Sequence, residues 1–337
     1  MKAGQYTAPK TVKVNNVNKP EIKQNEALIK VSHAGICGTD MMIYFGKHPR
    51  AKAPLTMGHE FSGTIERVEG STTFHPGDRV VVEPTISCGK CSPCQTGESH
   101  VCESLQLIGI DMDGGFAEYV RVPVDRLHKV PEQLSLANAA LAEPVAVAVH
   151  TVRRSTLKIG ENVAVLGAGP IGLLIGIIAK LNGAKNIFIS DISPFRLKAA
   201  KALGFHPIDA TDGNVVENIK KLNNNHLLDV VFEVAGNQAT ANQMIDLIKT
   251  QGQIVVVSVY KNNPELPLAK MHYRELSLTT TRCYSSEDYS TAIDIMASGK
   301  IDFSELITHE LDIENIAEGF ALMQNPDASL KVLIKQS

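Results

Sequence analysis

Neither sign of charge is in excess in this sequence: 33 Lys and Arg stand against 36 Asp and Glu, a formal net charge of −3. Without a basic surplus there is no electrostatic footprint for nucleic acid or an anionic membrane surface. A long hydrophobic run is also missing. The longest uncharged stretch, which after Asn162 runs through residues 163–179, falls short of the ~20 apolar residues a spanning helix needs, and a Gly-Ala-Gly-Pro sequence interrupts it. Residues 1–14 mix polar, Pro and Lys residues and lack the apolar block of a signal peptide. Nucleic acid and membrane are therefore not expected as partners, and a cytoplasmic location is. Cysteine is scarce and uneven: of 6, four lie between Cys88 and Cys102, with Cys37 and Cys283 far away. A reducing cytoplasm disfavours disulfides, so the tight cluster reads as a metal site.

A length of 337 residues suggests roughly two domains. The first ~140 residues hold short β-branched runs at 27–31, 62–68, 79–83 and 116–122, separated by Gly, Pro and Asp, which predicts an all-β region. Near residue 160 the pattern changes. Residues 162–166 read as a strand, and 170–182 as a helix apolar on nearly every face. Strand 186–190 follows, then a helix capped by Ser193 with Pro194 at its first position. Strands at 229–234 and 253–258 continue the alternation, which predicts a parallel sheet with helices on both faces. From Cys283 onward helices at 289–298 and 313–323 precede a strand at 331–334.

The turn Gly167-Ala168-Gly169-Pro170-Ile171-Gly172 follows a strand and opens a helix. Its glycines allow a tight turn and close backbone approach to a pyrophosphate at the helix N-terminus. Asp191 ends the next strand, 19 residues after Gly172, placed to accept hydrogen bonds from an adenosine ribose. That carboxylate would repel a 2′-phosphate, so NAD is expected over NADP, with Arg196 one helical turn further within reach of the same ribose. Cys88-x2-Cys91-x2-Cys94-x7-Cys102 supplies four thiolates with no open position, the pattern of a closed tetrahedral structural zinc site; an iron–sulfur cluster is the competing reading.

Further residues acquire meaning from a resemblance. Gly35–Asp40, Gly58-His59-Glu60 with Gly63, Gly77–Val80, the four-Cys lobe, Asp113–Tyr119, Glu143-Pro144 and the nucleotide turn together resemble, in the same order, the zinc-containing medium-chain dehydrogenase/reductase superfamily. Glu143 resembles the polyol, threonine and 2,3-butanediol branch, and Val82-Glu83-Pro84 with Tyr284-x2-Glu287-Asp288-Tyr289 looks most like 2,3-butanediol dehydrogenases. The resemblance implies an α/β protein with a GroES-like β-rich catalytic domain at 1–146 and 282–337, a structural zinc lobe at about 84–105, and a Rossmann NAD-binding domain at 147–281.

It also implies two zinc ions per subunit, the catalytic one held by Cys37, His59 and either Glu60 or Glu143. Asp40 would orient His59, and the Thr39 hydroxyl would take the first step of proton release. Zinc would act as a Lewis acid during hydride transfer between a small secondary alcohol or polyol and NAD. Relatives are usually homodimers or homotetramers. Many place a His three residues after Thr39, where this chain has Met42. Water or His48 would then complete the relay, and the Met41-Met42 pair would line the pocket and favour a substrate with an apolar end. Sorbitol or another sugar alcohol, a sugar acid and L-threonine are the competing substrates. A zinc-free quinone or enoyl reductase lacks this ligand set, and a non-catalytic NAD(P)H-binding protein is the rival from another class.

Overall fold

The strand Glu26–Gly35 buries Ala27, Leu28, Ile29, Val31, Ala34 and Gly35, the burial expected of a strand inside a sheet rather than at its edge. In the computed structural model, which describes every residue except Thr72 and Ser337, it pairs antiparallel with Glu60–Val68, Tyr119–Pro123 and Lys331–Lys335. The sheet runs Leu127–Lys129, Arg79–Val82, Glu60–Val68, Glu26–Gly35, Lys331–Lys335, Ile307–Asp312. These elements form one compact unit, residues 1–146 with 284–337.

The pairing register does the positioning. Opposite Glu60–Val68, the strand Glu26–Gly35 slips between Leu28 and Ile29 and again between Val31 and His33. Such bulges bend a strand and re-aim the residues beyond them. After the second slip Gly35 faces Glu60 on one side and Leu333 on the other. Ile29, Ile36, Phe61, Val80, Phe116, Phe320, Val332 and Ile334 share one core. At ~1.5–3 kcal/mol per large buried apolar side chain, the C-terminal strand is a structural part of this unit.

Two expectations change here. Phe116 and Ala117 precede rather than begin the strand Tyr119–Pro123; Phe116 is fully buried in the core beside Gly58. The strand Ile307–Asp312 has no sequence signature, because every residue in it remains at least partly exposed.

Residues 147–283 form the second unit. Its strands are all parallel, in the order His206–Asp209, Asn186–Asp191, Asn162–Leu166, Leu228–Glu233, Ile248–Val256, Ser277–Thr280. The chain starts at Asn162–Leu166, builds outward one way, then returns to build the other way. Crossovers of the usual right hand, taken in opposite directions, put helices on both faces of a sheet with this strand order. The helix Pro170–Leu181 buries an unbroken run from Gly172 to Ala179, as its all-round apolar sequence requires. Among the described residues no helix is long and apolar enough to cross a membrane.

Candidate functional site

The sheet register brings together residues far apart in sequence. Cys37 lies just past Gly35, and His59 and Glu60 lie opposite it at the start of Glu60–Val68. One ligand atom from each of Cys37, His59 and Glu60 falls within 4.8 Å of the others. A methyl group at Gly35 would collide with Glu60 Oε2, so glycine lets the carboxylate lie against the backbone. Cys37 caps the short helix Gly38–Tyr44, and its N–H donates to Asp40 Oδ2 at 2.8 Å. Thr39 sits partly exposed in the first turn of that helix.

Thiol, imidazole and carboxylate so disposed suit a dication of the zinc type. The electrostatics agree. Asp40 Oδ1 and His59 Nδ1 lie 3.5 Å apart, both buried and neither with a hydrogen-bond partner. Burial opposes a charge on His59, but Asp40 and Cys37 outweigh it and hold its pKa well above the ordinary value. The same concentration of negative charge would favour a metal ion, which would take the place of that proton.

Glu143 stands apart from the trio. It is buried in the helix Ala142–Arg153, and its Oε1 accepts from the Tyr284 hydroxyl at 2.9 Å. Burial raises its carboxyl to about 7, with Glu60's charge adding and His59 opposing. Tyr284 precedes the helix Ser286–Ala297, which is fastened by Ser286 Oγ to Glu83 Oε2 at 2.7 Å and by the Tyr289 hydroxyl to the carbonyl of Val82 at 2.9 Å. Glu83, itself buried, also accepts from Arg126 at 3.1 Å and His128 at 3.2 Å.

Sequence reasoning missed Lys331. Its Nζ lies 2.6 and 2.9 Å from the two oxygens of Glu60, with both side chains buried. It also overlooked a difference within the methionine pair. Met41 packs in the core, while Met42 is 40% exposed. His48 accepts at Nδ1 from the N–H groups of Arg50 and Ala51, at 3.4 and 3.2 Å.

The four-cysteine lobe folds around its own sulfurs. Sγ separations are 3.4 Å for Cys91–Cys94, 3.8 Å for Cys91–Cys102 and 4.0 Å for Cys88–Cys94. A tetrahedron with Zn–S bonds of ~2.3 Å has edges of about 3.8 Å, so the donors already have the spacing of a closed zinc site. Backbone N–H groups of Lys90 and Cys91 lower Cys88 to about 6, while burial and the Cys91 thiol push Cys94 up to about 11. Among the described residues no disulfide joins any of the six cysteines.

In the second unit the turn after Asn162–Leu166 has Gly167 at φ +121° and Gly169 capping the helix Pro170–Leu181. A side chain on Gly172 would strike the Gly167 carbonyl. Pro170 at the first helical position lacks an N–H, while those of Ile171 and Gly172 have no intrahelical partner and remain for an anion. Asp191 Oδ2 accepts from Ala168 N–H at 2.8 Å and Oδ1 from Ser193 N–H at 2.9 Å. Each oxygen keeps a second lone pair for a sugar hydroxyl. Arg196 Nη1 lies 3.8 Å from Asp191 Oδ2, and its buried Nε has no hydrogen-bond partner.

Comparison with known proteins gives concordant matches. Residues 23–132 match the alcohol dehydrogenase GroES-like domain, and residues 170–298 the zinc-binding dehydrogenase domain. The chain is 35% identical to a 2-dehydro-3-deoxy-L-galactonate 5-dehydrogenase of Pseudoalteromonas atlantica, covering 99% of this chain and 98% of that protein. It superimposes on 2R,3R-butanediol dehydrogenase of Bacillus subtilis with a TM-score of 0.93 at 31% identity, covering 100% and 99% of the two chains. A protein of Sinorhizobium meliloti, assigned as a zinc-binding dehydrogenase and seen with NADP bound, gives a TM-score of 0.93 at 33% identity over 99% and 98%.

Proposed function

This chain belongs to the zinc-containing medium-chain alcohol dehydrogenase superfamily, and we propose that within it the protein moves hydride between NAD and a short secondary alcohol or vicinal diol. It is a zinc-dependent oxidoreductase of the alcohol and polyol class that binds NAD(P). The observation that carries the reading is the convergence of Cys37, His59 and Glu60 ligand atoms within 4.8 Å beside the Thr39 hydroxyl's helix. A zinc ion held by Cys37, His59 and Glu60, or by Glu143 in place of Glu60, would polarise the alcohol oxygen.

The protein's own groups do the remainder. Asp40 keeps the His59 ring in one orientation and strengthens it as a donor. Thr39 accepts the hydroxyl proton as its own passes toward solvent. Ile171 and Gly172 N–H groups take the pyrophosphate, and Asp191 takes the adenosine ribose. A nicotinamide dinucleotide held by these groups would supply the acceptor for the carbinol hydrogen and its electron pair, with the alcohol becoming a ketone. We place this chemistry in a reducing cytoplasm, where thiols stay available as ligands. A homodimer or homotetramer is supported by Ser277–Thr280, an edge strand open to continuation by a second copy.

The choice of a short substrate rests on Met42, whose exposed thioether offers an apolar wall rather than hydroxyl partners. Zinc-replete protein should reduce NAD fastest with a 2,3-butanediol stereoisomer in a panel with sorbitol, other sugar alcohols, a sugar acid and threonine. Preference for the sugar acid, the substrate class of the Pseudoalteromonas relative, would overturn the substrate and keep the chemistry.

Two variants probe the site further. Met42 cannot carry a proton, so Met42→His should raise turnover below neutral pH and move the pH–rate profile; an unchanged profile counts against a relay running past this position. The negative charge of Asp191 opposes a 2′-phosphate while Arg196 beside it would welcome one. Asp191→Asn keeps an acceptor oxygen and removes the charge. It should shift the NAD/NADP ratio of kcat/KM by roughly 10-fold or more towards NADP, as expected for losing a charge-assisted hydrogen bond. A constant ratio would remove Asp191 as the selector.

A further inference from the structure

Glu233 is the last residue of the strand Leu228–Glu233, where the parallel sheet presents its C-terminal edge beside the nucleotide turn. It is fully buried. Among the described residues no cation pairs with it; four neutral donors do. Oε1 accepts from the N–H of Ala235 at 3.0 Å, from the N–H of Gly236 at 2.7 Å and from Thr240 Oγ1 at 2.7 Å. Oε2 accepts from Ser258 Oγ. The backbone carbonyl of Glu233 accepts from Val257 N–H at 2.8 Å.

One side chain thus ties together the segments that leave two adjacent strands, residues 234–240 after Leu228–Glu233 and residues 257–258 after Ile248–Val256. Burying a carboxylate is costly unless its acceptors are filled. A merely apolar plug would fill the same space without that cost, but it could not fix two loops at once.

The fixed loop lies against the nucleotide turn. Val234 N–H donates to the carbonyl of Leu166 at 3.0 Å. A methyl group on Gly167 would come 3.3 Å from Ala235 N and 3.4 Å from Ala235 Cβ, so Ala235 forms the wall of the turn. Strand order supplies the direction of the ligand. Asp191, at the end of Asn186–Asp191, lies on one side of Asn162–Leu166, and Leu228–Glu233 and Ile248–Val256 lie on the other. A dinucleotide whose adenosine ribose meets Asp191 and whose pyrophosphate meets the turn must continue over those two strand ends.

We propose that Glu233 is a positioning residue for the nicotinamide half of the dinucleotide, holding residues 234–237 and 257–258 as one preformed floor. The inference rests on the reading that Asp191 takes the adenosine side.

The test separates the two halves of the ligand. Glu233→Ala should weaken NADH binding about 30-fold, because the loops must then be ordered at the expense of binding energy, while AMP, which covers only the adenosine side, binds within about 3-fold of wild type. Glu233→Gln retains the oxygen for Ala235, Gly236 and Thr240, and its amide can donate to Ser258; it should bring NADH affinity most of the way back. If Glu233→Ala fails to fold, Ser258→Ala, which removes only the Oε2 partner, should weaken NADH binding about 10-fold and leave AMP binding within about 2-fold of wild type.

Equal affinity of wild type and Glu233→Ala for NADH would overturn the proposal, and so would equal weakening of NADH and AMP, the mark of a loosened unit. Wild-type protein that binds neither NADH nor AMP would instead overturn the nucleotide reading on which it rests.

Discussion

Cys37→Ser protein should contain one zinc per chain instead of two and oxidise alcohol at least about 10³-fold more slowly, a Lewis-acid contribution of several kcal/mol. Serine is nearly isosteric, but its hydroxyl does not ionise near neutral pH, so the site loses its soft, anionic donor. The remaining zinc should stay in the lobe, whose sulfur spacings of 3.4–4.0 Å are set by its own turns and involve no residue of the trio. NADH affinity should stay within about 2-fold of wild type, because the nucleotide turn belongs to a separately packed unit. Metal analysis, a binding titration and steady-state kinetics read the three quantities. Two retained zinc ions with activity within tenfold of wild type would remove Cys37 as a ligand.

The part of this site that sequence reveals is the part that is local. The four lobe cysteines and the turn from Gly167 to Gly172 each lie within a short segment, and their geometry follows from spacing and backbone chemistry. Asn162–Leu166 and the cap at Ser193 fall where the pattern puts them, since Ser193 Oγ accepts from Arg196 N–H at 3.2 Å. Cys37, His59 and Glu60 converge only through a sheet register with two slips, so composition and spacing never join them; only the family pattern does. Lys331 is 271 residues from Glu60 and lies in a strand whose neighbours are apolar, so it reads as an ordinary surface lysine. Glu233 resembles any strand-ending acid until the loops it binds are seen. The methionine pair shows the same limit at shorter range, since helix phase buries Met41 and exposes Met42.

Lys331→Met should destabilise the first unit by about 3–5 kcal/mol, the cost of leaving one partner of a buried ion pair without the other. For a unit of this size that corresponds to a fall in Tm of about 10 °C. Methionine fills most of the lysine's volume, so little of the loss comes from a cavity; it comes from Glu60, which retains a buried charge after losing the ammonium 2.6 Å away. Adding Glu60→Gln should restore most of the stability, because an amide needs no counter-charge, and the double-mutant cycle isolates the pair. Additive losses would show that Lys331 acts through packing alone. Calorimetry of zinc-loaded and chelator-treated protein then assigns the third metal ligand. A zinc ion bound by Glu60 takes over the role of the missing ammonium, so the Lys331→Met penalty shrinks when zinc is present. If Glu143 holds the zinc instead, the ion acts on Glu60 only through space, and zinc reduces the penalty less than direct ligation would.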